Sequence, residues 1–484
     1  MGLRNLLIML SLIVSVIILE TAETAAQPEL EPETEELEED VLEEAAAQLP
    51  CTTDNTHLEG TWVSTSSVTL VEANSSSIPP SISTLSGADE LRVEMVLRLP
   101  ETETCGFDGF DAVVTVTSAR NTSEILIQQE FLGVISTIPS DDIQVLVLQD
   151  AMPVSSRSEM VVTQTKAEAL YEESEDGVPL IELFYGGRED ETTVVALSAV
   201  LIREEDEKEG VEAVTCPDIS GDWKSGKYDA LNVGDEGDTI PIQNLNMTLT
   251  ISQEAGSCAF LGVNAWSNGV IGADEPVIGL IHSDGVTASI FEFVPLEFER
   301  APTTAVIIAK LLSPDSDEVD YMDFIYAGAN HVTGRIASFN VVISNKDALD
   351  DIPQLKCEEK NMLGTWESEP FTLYTRDHET LDVSATPNVT MTFDVYEENG
   401  CRFAAYATRT GGEQNVVVGT IHNENEMYGL ETGKHDNVES KAMLLGKLEE
   451  DDTLTIICTG ERVVDGVASE SMSFEASLSR DDPL

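Results

Sequence analysis

The sequence predicts an all-β chain with three tandem copies of one eight-stranded, antiparallel, up-and-down barrel. Six short sequence blocks recur three times in the same order, which indicates an internal repeat. Between these blocks lie short runs of β-branched and aromatic residues joined by polar turns, and no run has a helical pattern of ten residues or more. The predicted copies span residues 51–203, 216–346 and 357–482.

The N-terminal segment has the features of a secretory signal peptide. A basic start containing Arg4 precedes an apolar run over residues 6–19, and Ala26 supplies the small residue of a cleavage site after residues 1–26. A retained membrane anchor is the alternative, but the run is shorter than the roughly 18–20 residues that span a bilayer. We therefore expect a secreted, extracellular or cell-surface protein with no membrane span after signal removal.

The full chain is strongly acidic, with 90 acidic residues against 25 basic ones and a net charge of −65. Residues 27–50 are rich in Glu, Pro and Ala and contain no aromatic residue, which predicts a disordered acidic leader. This charge disfavours binding to nucleic acid and to anionic membranes. Diffuse attraction of divalent cations and simple solubility are both compatible with it.

Each copy opens with a cysteine followed by a Gly-x-Trp-x-Ser block. A second cysteine lies near a phenylalanine further on, and a glycine begins a short apolar run. A later strand then carries an aromatic residue or a cysteine, and each copy ends on a similar apolar strand. The residues at these places are Cys51, Trp62, Cys105, Phe107, Gly133 and Tyr185 in the first copy; Cys216, Trp223, Cys258, Phe260, Gly279 and Tyr326 in the second; and Cys357, Trp366, Cys401, Phe403, Gly419 and Cys458 in the third.

The strand pattern of the third copy predicts a closed barrel. Residues 388–396 alternate apolar and polar side chains, and residues 397–400 supply an Asn-Gly turn into the next strand. About eight such strands follow Trp366 in up-and-down order, and closure into a barrel removes the exposed strand edges. A two-sheet sandwich is the alternative.

This layout resembles the calycin group, and the opening of the second copy at residues 216–223 resembles the avidin family in particular. The resemblance implies a ligand site at the barrel mouth. In the third copy it would contain Trp366, Ser368, Tyr406 and Thr408. The asparagine that avidins carry two residues after the tryptophan is replaced by Ser64, Ser225 and Ser368, and the later tryptophans of the family are absent, so we do not expect biotin binding.

Six of the seven cysteines predict one disulfide per copy, because a secreted chain favours disulfides. The pairs are Cys51 with Cys105, Cys216 with Cys258, and Cys357 with Cys401, although sequence alone leaves other connectivities open. Cys458 remains, either as a buried strand thiol or as one half of an intermolecular disulfide.

Four sequons predict N-glycosylation at Asn74, Asn121, Asn246 and Asn388, and Asn246 and Asn388 take the same place in their copies. His282 and His422 are also equivalent, but single histidines in separate copies do not predict a metal site.

No catalytic motif stands out, so we expect no enzymatic activity and no cofactor. The sequence favours a secreted binding protein whose barrels hold a small apolar ligand or an extracellular partner. The alternative is an acidic structural or adhesive glycoprotein of the extracellular matrix or cell surface, which would engage glycans or cations.

Overall fold

The computed structural model describes most of the chain from residue 55 onward. The described ranges are 55–74, 81–84, 91–98, 109–118, 121–137, 144–153, 163–173, 178–188, 193–204, 216–253, 257–282, 285–292, 305–312, 320–330, 335–346, 362–377, 380, 382–411, 414–422, 425–435, 438–449, 453–464 and 467–480. The predicted signal peptide and acidic leader, residues 1–26 and 27–50, lie outside these ranges.

The described chain is almost entirely β-structure, in three sheets that follow the three repeats. A short 3₁₀ helix (Asn55–Leu58) precedes the first strand. Among the described residues, no helix has the length and apolar character needed to cross a bilayer.

The strands of the first sheet are β1 (Gly60–Asn74), β2 (Ser81–Thr84), β3 (Leu91–Arg98), β4 (Gly109–Ser118), β5 (Asn121–Thr137), β6 (Gln144–Pro153), β7 (Thr163–Glu173), β8 (Pro179–Arg188) and β9 (Thr193–Arg203). The second sheet contains β10 (Gly221–Ser225), β11 (Tyr228–Val233), β12 (Ile242–Gln253), β13 (Ala259–Ser267), β14 (Gly272–Ile281), β15 (Thr287–Glu292), β16 (Ala305–Leu312), β17 (Tyr321–Asn330) and β18 (Arg335–Ser344). The third contains β19 (Gly364–Ser368), β20 (Phe371–Asp377), β21 (Val383–Val389), β22 (Met391–Asn399), β23 (Arg402–Arg409), β24 (Gln414–Ile421), β25 (Glu426–His435), β26 (Val438–Leu448), β27 (Thr453–Val464) and β28 (Val467–Ser479).

The second and third sheets are closed eight-stranded antiparallel barrels. In the second, β10 and β11 together make the first strand, and both pair with β12 on one side and with β18 on the other. In the third, β19 pairs with β22, and both β19 and β20 pair with the last strand, β28. Pairing of the first strand with the last closes a barrel and differs from the open edges of a two-sheet sandwich. In the first sheet, β1 pairs with β3 and also with β9.

The Gly-x-Trp-x-Ser block closes one end of each sheet. The three tryptophans Trp62, Trp223 and Trp366 have no exposed surface. Each indole donates a hydrogen bond to the carbonyl oxygen four residues earlier, at 2.8–2.9 Å. The serine of each block accepts a hydrogen bond from a backbone amide on the next long strand. The block is therefore a repeated structural element in which the indole N–H and the serine hydroxyl oxygen both have hydrogen-bond partners.

The recurring glycine makes room for the recurring phenylalanine. Phe260 lies opposite Gly279, and Phe403 lies opposite Gly419. A Cβ atom on either glycine would overlap the phenylalanine ring. In the first sheet the residue opposite Gly133 is Phe110, so the sequence alignment through Phe107 is three residues out of register.

The three repeats contact one another through equivalent strands. Strand β9 packs against β14, strands β17 and β18 pack against β24 and β25, and strands β27 and β28 pack against β5 and β6. Each contact therefore joins the last strands of one repeat to the fourth and fifth strands of another. The third repeat also contacts the first, so the contacts among the repeats form a closed cycle.

The contact between the second and third barrels contains both apolar and charged groups. Leu231, Val233 and Ile336 of the second barrel join one buried cluster with residues of β23, β24 and β25. His422 Nε2 lies 2.6 Å from Asp323 Oδ2, and both side chains are buried. At the contact between the first and second repeats, the ring of His282 stacks on Phe184 with 4.3 Å between centroids. The two histidines that sequence analysis paired thus lie at two equivalent repeat contacts.

Candidate ligand pocket in the second barrel

A small pocket opens at the end of the second barrel opposite to Trp223. Several inward-facing positions at this end of the strands carry polar or aromatic side chains. Its lining consists of Tyr228, Ala230, Ile242, Leu245, Asn264, Trp266, Glu275, Tyr326, Ala337 and Phe339. The lining therefore combines four aromatic residues and four aliphatic ones with one acid and one amide.

Two buried carboxyl groups bond to each other at the acidic side. Glu275 lines the pocket and shares a hydrogen bond with Glu292 on the adjacent strand. Trp266 Nε1 donates to Glu275 Oε2 at 2.9 Å, and Asn264 Nδ2 donates to Glu292 Oε1 at 3.0 Å. Tyr326 also hydrogen-bonds to Glu292. The exposed fractions of Glu275 and Glu292 are only 4% and 7%.

Burial dominates the electrostatics of this group. Loss of solvent raises the pKa of Glu275 above its ordinary value of 4.5, although the bonds from Glu292 and Trp266 oppose this shift. Burial also raises the pKa of Tyr228 and of Tyr326, with a further contribution from the two glutamates.

Among the residues that the structure describes, two polar atoms at the pocket have no hydrogen-bond partner. They are Asn264 Oδ1 and the hydroxyl of Tyr228. Asn264 is only 1% exposed, so its carbonyl oxygen is shielded from bulk water. An unsatisfied buried polar group costs about 1–3 kcal/mol. Both atoms therefore favour a molecule bound in the pocket.

The space inside the pocket is small. Centres of water-sized molecules can occupy about 20 Å³ of it. That volume accommodates one or two waters or a group of similar size. The pocket suits a compact polar group with any larger part directed towards the barrel mouth.

The structure separates the four site residues that the family resemblance implied. Trp366 is buried, with its indole bonded to the Met362 carbonyl, and Arg480 covers its ring with 4.6 Å between guanidinium and centroid. Ser368 Oγ accepts a hydrogen bond from the Met391 amide. Both residues are thus engaged in closing the base of the barrel.

Tyr406 and Thr408 lie on the outer face of β23, because Phe403, Ala405 and Ala407 of that strand belong to the barrel core. Tyr406 stacks on Tyr396 with 4.6 Å between ring centroids. Its hydroxyl donates to the carbonyl oxygen of Glu236 in the second barrel at 3.1 Å. The structure therefore places Tyr406 at the contact between two barrels and does not bring it to Trp366.

The corresponding end of the third barrel is filled by an ion pair. Strand register makes Arg409 equivalent to Trp266, Asn415 to Glu275, and Glu431 to Glu292. Arg409 binds Glu431 through two contacts of 2.7 and 2.6 Å, and Asn415 Nδ2 donates to Glu431 at 2.5 Å. The guanidinium also lies 4.8 Å from the centroid of the Phe474 ring.

Sequence analysis missed Glu275 and Glu292 because acidic residues occur throughout the chain. Only their position could have revealed them, because the strand register aligns Asp150, Glu292 and Glu431 at one place in the three repeats. Without the register, these residues cannot be distinguished from solvated acids elsewhere.

The structure contains the disulfide between Cys216 and Cys258, as predicted. Cys401 is also disulfide-bonded, whereas Cys51, Cys105 and Cys357 lie outside the described residues. Cys458 is a free, buried thiol, and burial raises its pKa. Among the described residues, no group of three His, Cys, Asp or Glu side chains is placed to hold a metal ion.

The predicted glycosylation sites remain predictions. The side chains of Asn246 and Asn388 are both exposed. Their equivalence was wrong: strand register matches Asn388 with Asn244, and both have positive φ, 58° and 57°. Asn74 and Asn121 lie at the ends of β1 and β5, respectively.

The chain matches no family model and no curated protein. One solved structure that matches is the crystal structure of a protein with unknown function from the DUF3598 family of Nostoc punctiforme, at 10% sequence identity. The match covers 54% of this chain and 96% of that chain, with a TM-score of 0.21.

Proposed function

We propose that the protein is a secreted, non-enzymatic binding protein whose second barrel holds a small ligand. In this proposal the first repeat is also a barrel, so that the mature chain consists of three calycin-like barrels. The observation that carries the proposal is the pocket of the second barrel, where Asn264 Oδ1 and the Tyr228 hydroxyl lack partners beside two buried acids.

The third barrel supports a division of roles among the repeats. Its interior contains Phe393, Phe403 and Phe474, and the Arg409–Glu431 pair fills the end that corresponds to the pocket. An interior filled by side chains suits a structural role, because an eight-stranded barrel can be either filled or hollow. We assign ligand binding to the second barrel and structural support to the third.

The alternative function, an acidic structural or adhesive glycoprotein, is favoured by the closed cycle of repeat contacts. At the contact between the second and third repeats, they bury an apolar cluster and the His422–Asp323 pair. One chain can have both a binding role and a structural role. A ligand held in the pocket of the second barrel would support the binding role.

Native mass spectrometry of protein purified from its source tests the binding function. We expect a retained small molecule that the variant Ala337→Met no longer holds. Ala337 lines the pocket, and the third barrel carries methionine at the equivalent Met472, so the fold accommodates that side chain. The matched control is Ala265→Met, at an outward-facing position of β13, which should keep the ligand. Apo mass in every preparation, or equal retention by both variants, would contradict the proposal.

A further inference from the structure

We propose that the pocket of the second barrel binds a primary aliphatic alcohol, with the hydroxyl group inside the pocket and the alkyl chain directed towards the barrel mouth. This inference rests on the proposed binding function and names the ligand class. It is carried by the hydrogen-bonding capacity of Asn264 and Tyr228, by the apolar remainder of the pocket lining, and by two exposed apolar side chains beside the mouth.

Asn264 provides a hydrogen-bond acceptor in a fixed orientation. Its Nδ2 donates to Glu292 Oε1 at 3.0 Å, which commits the amide nitrogen to that bond and leaves Oδ1 on the other branch of the amide. Within the described part of the chain Oδ1 is buried and has no partner, and a carbonyl oxygen can only accept. A ligand that satisfies Asn264 must therefore carry an O–H or N–H donor.

Tyr228 provides the complementary group. Its ring packs against Phe339 with 4.9 Å between centroids, which fixes the position of the hydroxyl. No described residue bonds to that buried hydroxyl, and burial raises its pKa, so it keeps its proton and can donate. A ligand that satisfies both residues therefore donates one hydrogen bond and accepts another. A hydroxyl group does both, an ammonium group only donates, and a carboxylate or an ether oxygen only accepts.

The remainder of the pocket favours an alkyl group beside the hydroxyl. The space of about 20 Å³ fits a hydroxyl group and the carbon atom that bears it. Eight of the ten lining residues are aromatic or aliphatic. A water molecule gains nothing from this apolar surface, whereas a methylene group in contact with it is removed from solvent, which is favourable. An alcohol therefore suits the whole lining better than water does.

The mouth of the barrel offers further apolar contact. The connections β11–β12 and β13–β14 both lie at the end opposite Trp223, because the strands that they join alternate in direction. They carry Ile240 and Val270, with exposed fractions of 50% and 90%. Asn268 Nδ2 lies 3.5 Å from the carbonyl oxygen of Gln243, so the second connection is next to the first. An alkyl chain that leaves the pocket can therefore contact apolar side chains at the mouth.

Isothermal titration calorimetry with pentan-1-ol tests the proposal on the full chain, in preparations whose native mass shows no bound molecule. The comparison ligands are butyl methyl ether, which is an isomer without the O–H donor, pentanoate and pentylammonium. We expect saturable one-to-one binding of pentan-1-ol. Binding of the other three should be at least about tenfold weaker, because each leaves one buried polar atom unpaired. Equal or tighter binding of any of the three, or no saturable binding of pentan-1-ol, would overturn the proposal.

Variants locate the hydroxyl contact. Tyr228→Phe removes only an oxygen that has no described partner, so it should weaken pentan-1-ol binding about three- to tenfold, while the urea midpoint of the ligand-free protein stays equal or rises. A purely structural role of Tyr228 predicts the reverse, a lower midpoint with unchanged affinity.

Tyr321→Phe is the matched control, because Tyr321 lies at the end of the barrel that contains Trp223, and it should change neither quantity. Ala337→Met fills the pocket and should abolish binding of pentan-1-ol. Circular dichroism spectra confirm that each variant is folded. Wild-type affinity in Tyr228→Phe or in Ala337→Met would refute the site.

The outcomes separate this inference from the proposed function. A retained charged molecule that Ala337→Met loses, together with no binding of pentan-1-ol to ligand-free protein, overturns the alcohol class and keeps the binding function. No retained molecule and no binding of pentan-1-ol overturns both.

Discussion

The Arg409–Glu431 pair of the third barrel provides a quantitative test of how the repeats differ. We consider Glu431→Gln, which removes the charge and leaves the shape nearly unchanged. The pair has two contacts of 2.7 and 2.6 Å, and the exposed side-chain fractions of Arg409 and Glu431 are 10% and 1%. Coulomb's law at an effective dielectric constant of about 20 gives roughly 4 kcal/mol at about 4 Å. This agrees with the roughly 3–5 kcal/mol lost when one partner of a buried pair is removed.

Hydrogen exchange measured by mass spectrometry is the appropriate assay, because it reports the opening free energy of the third barrel separately from the others. We expect peptides from β23, β25 and β27 to lose about 3–5 kcal/mol of protection in Glu431→Gln. Peptides from the core of the second barrel should change little.

The double variant Arg409→Met/Glu431→Leu is the control for charge burial. Replacement of a whole buried pair by apolar side chains is commonly neutral or stabilising by about 1–4 kcal/mol, so this variant should recover most of the loss. A loss below about 1 kcal/mol in Glu431→Gln would show that the pair behaves as a solvated one. That result would refute our reading of Arg409 as a built-in counter-cation.

Three further predictions concern individual residues. Because burial raises the pKa of Glu275, the wild-type acid contributes stability that is fully present below its ordinary pKa of 4.5 and is lost as pH rises through the raised value. The advantage of Glu275→Gln in urea midpoints should therefore grow from about pH 5 to pH 8 without ligand, and a constant difference would contradict this. His422→Ala leaves Asp323 buried without its 2.6 Å partner. The opening free energy of β17 and β24 should therefore fall by about 1–3 kcal/mol, measured as faster hydrogen exchange of their peptides, and unchanged protection would argue against a role at this contact. Burial raises the pKa of Cys458, so a maleimide should react with it only as fast as the barrel unfolds, and rapid labelling of folded protein would contradict the assigned burial.

Much of the fold could be predicted from the sequence because the same structural features are encoded three times along the chain. The Gly-x-Trp-x-Ser block satisfies the same hydrogen bonds three times, and each copy therefore reports the same structural requirement. The alternation of apolar residues in β22 likewise followed from the sheet period of two. The strand register could not be predicted from the sequence. The short motif around Phe107 was aligned with the other copies, but the strand pairing places Phe110, three residues later, opposite Gly133.

The pocket could not be predicted for a related physical reason. Whether a side chain points into a barrel or out of it depends on a parity of one residue along the strand. Tyr406 and Thr408 have suitable chemistry for a mouth site, but their strand phase places them outside. Glu275 and Glu292 have the common chemistry of this acidic chain, and only their inward phase and burial distinguish them.

Sequence positions at the two ends of the repeats are under different structural constraints. Positions at the end that contains the tryptophan are alike in all three repeats, because each repeat buries the indole and satisfies the indole N–H and the block serine with the same hydrogen bonds. Positions at the opposite end differ, because closure of the sheet does not depend on them: the second barrel has a pair of acids there and the third has an ion pair. The pocket of the second barrel therefore lies at positions that closure of the sheet leaves free to vary, and the third barrel fills the same positions with the Arg409–Glu431 pair.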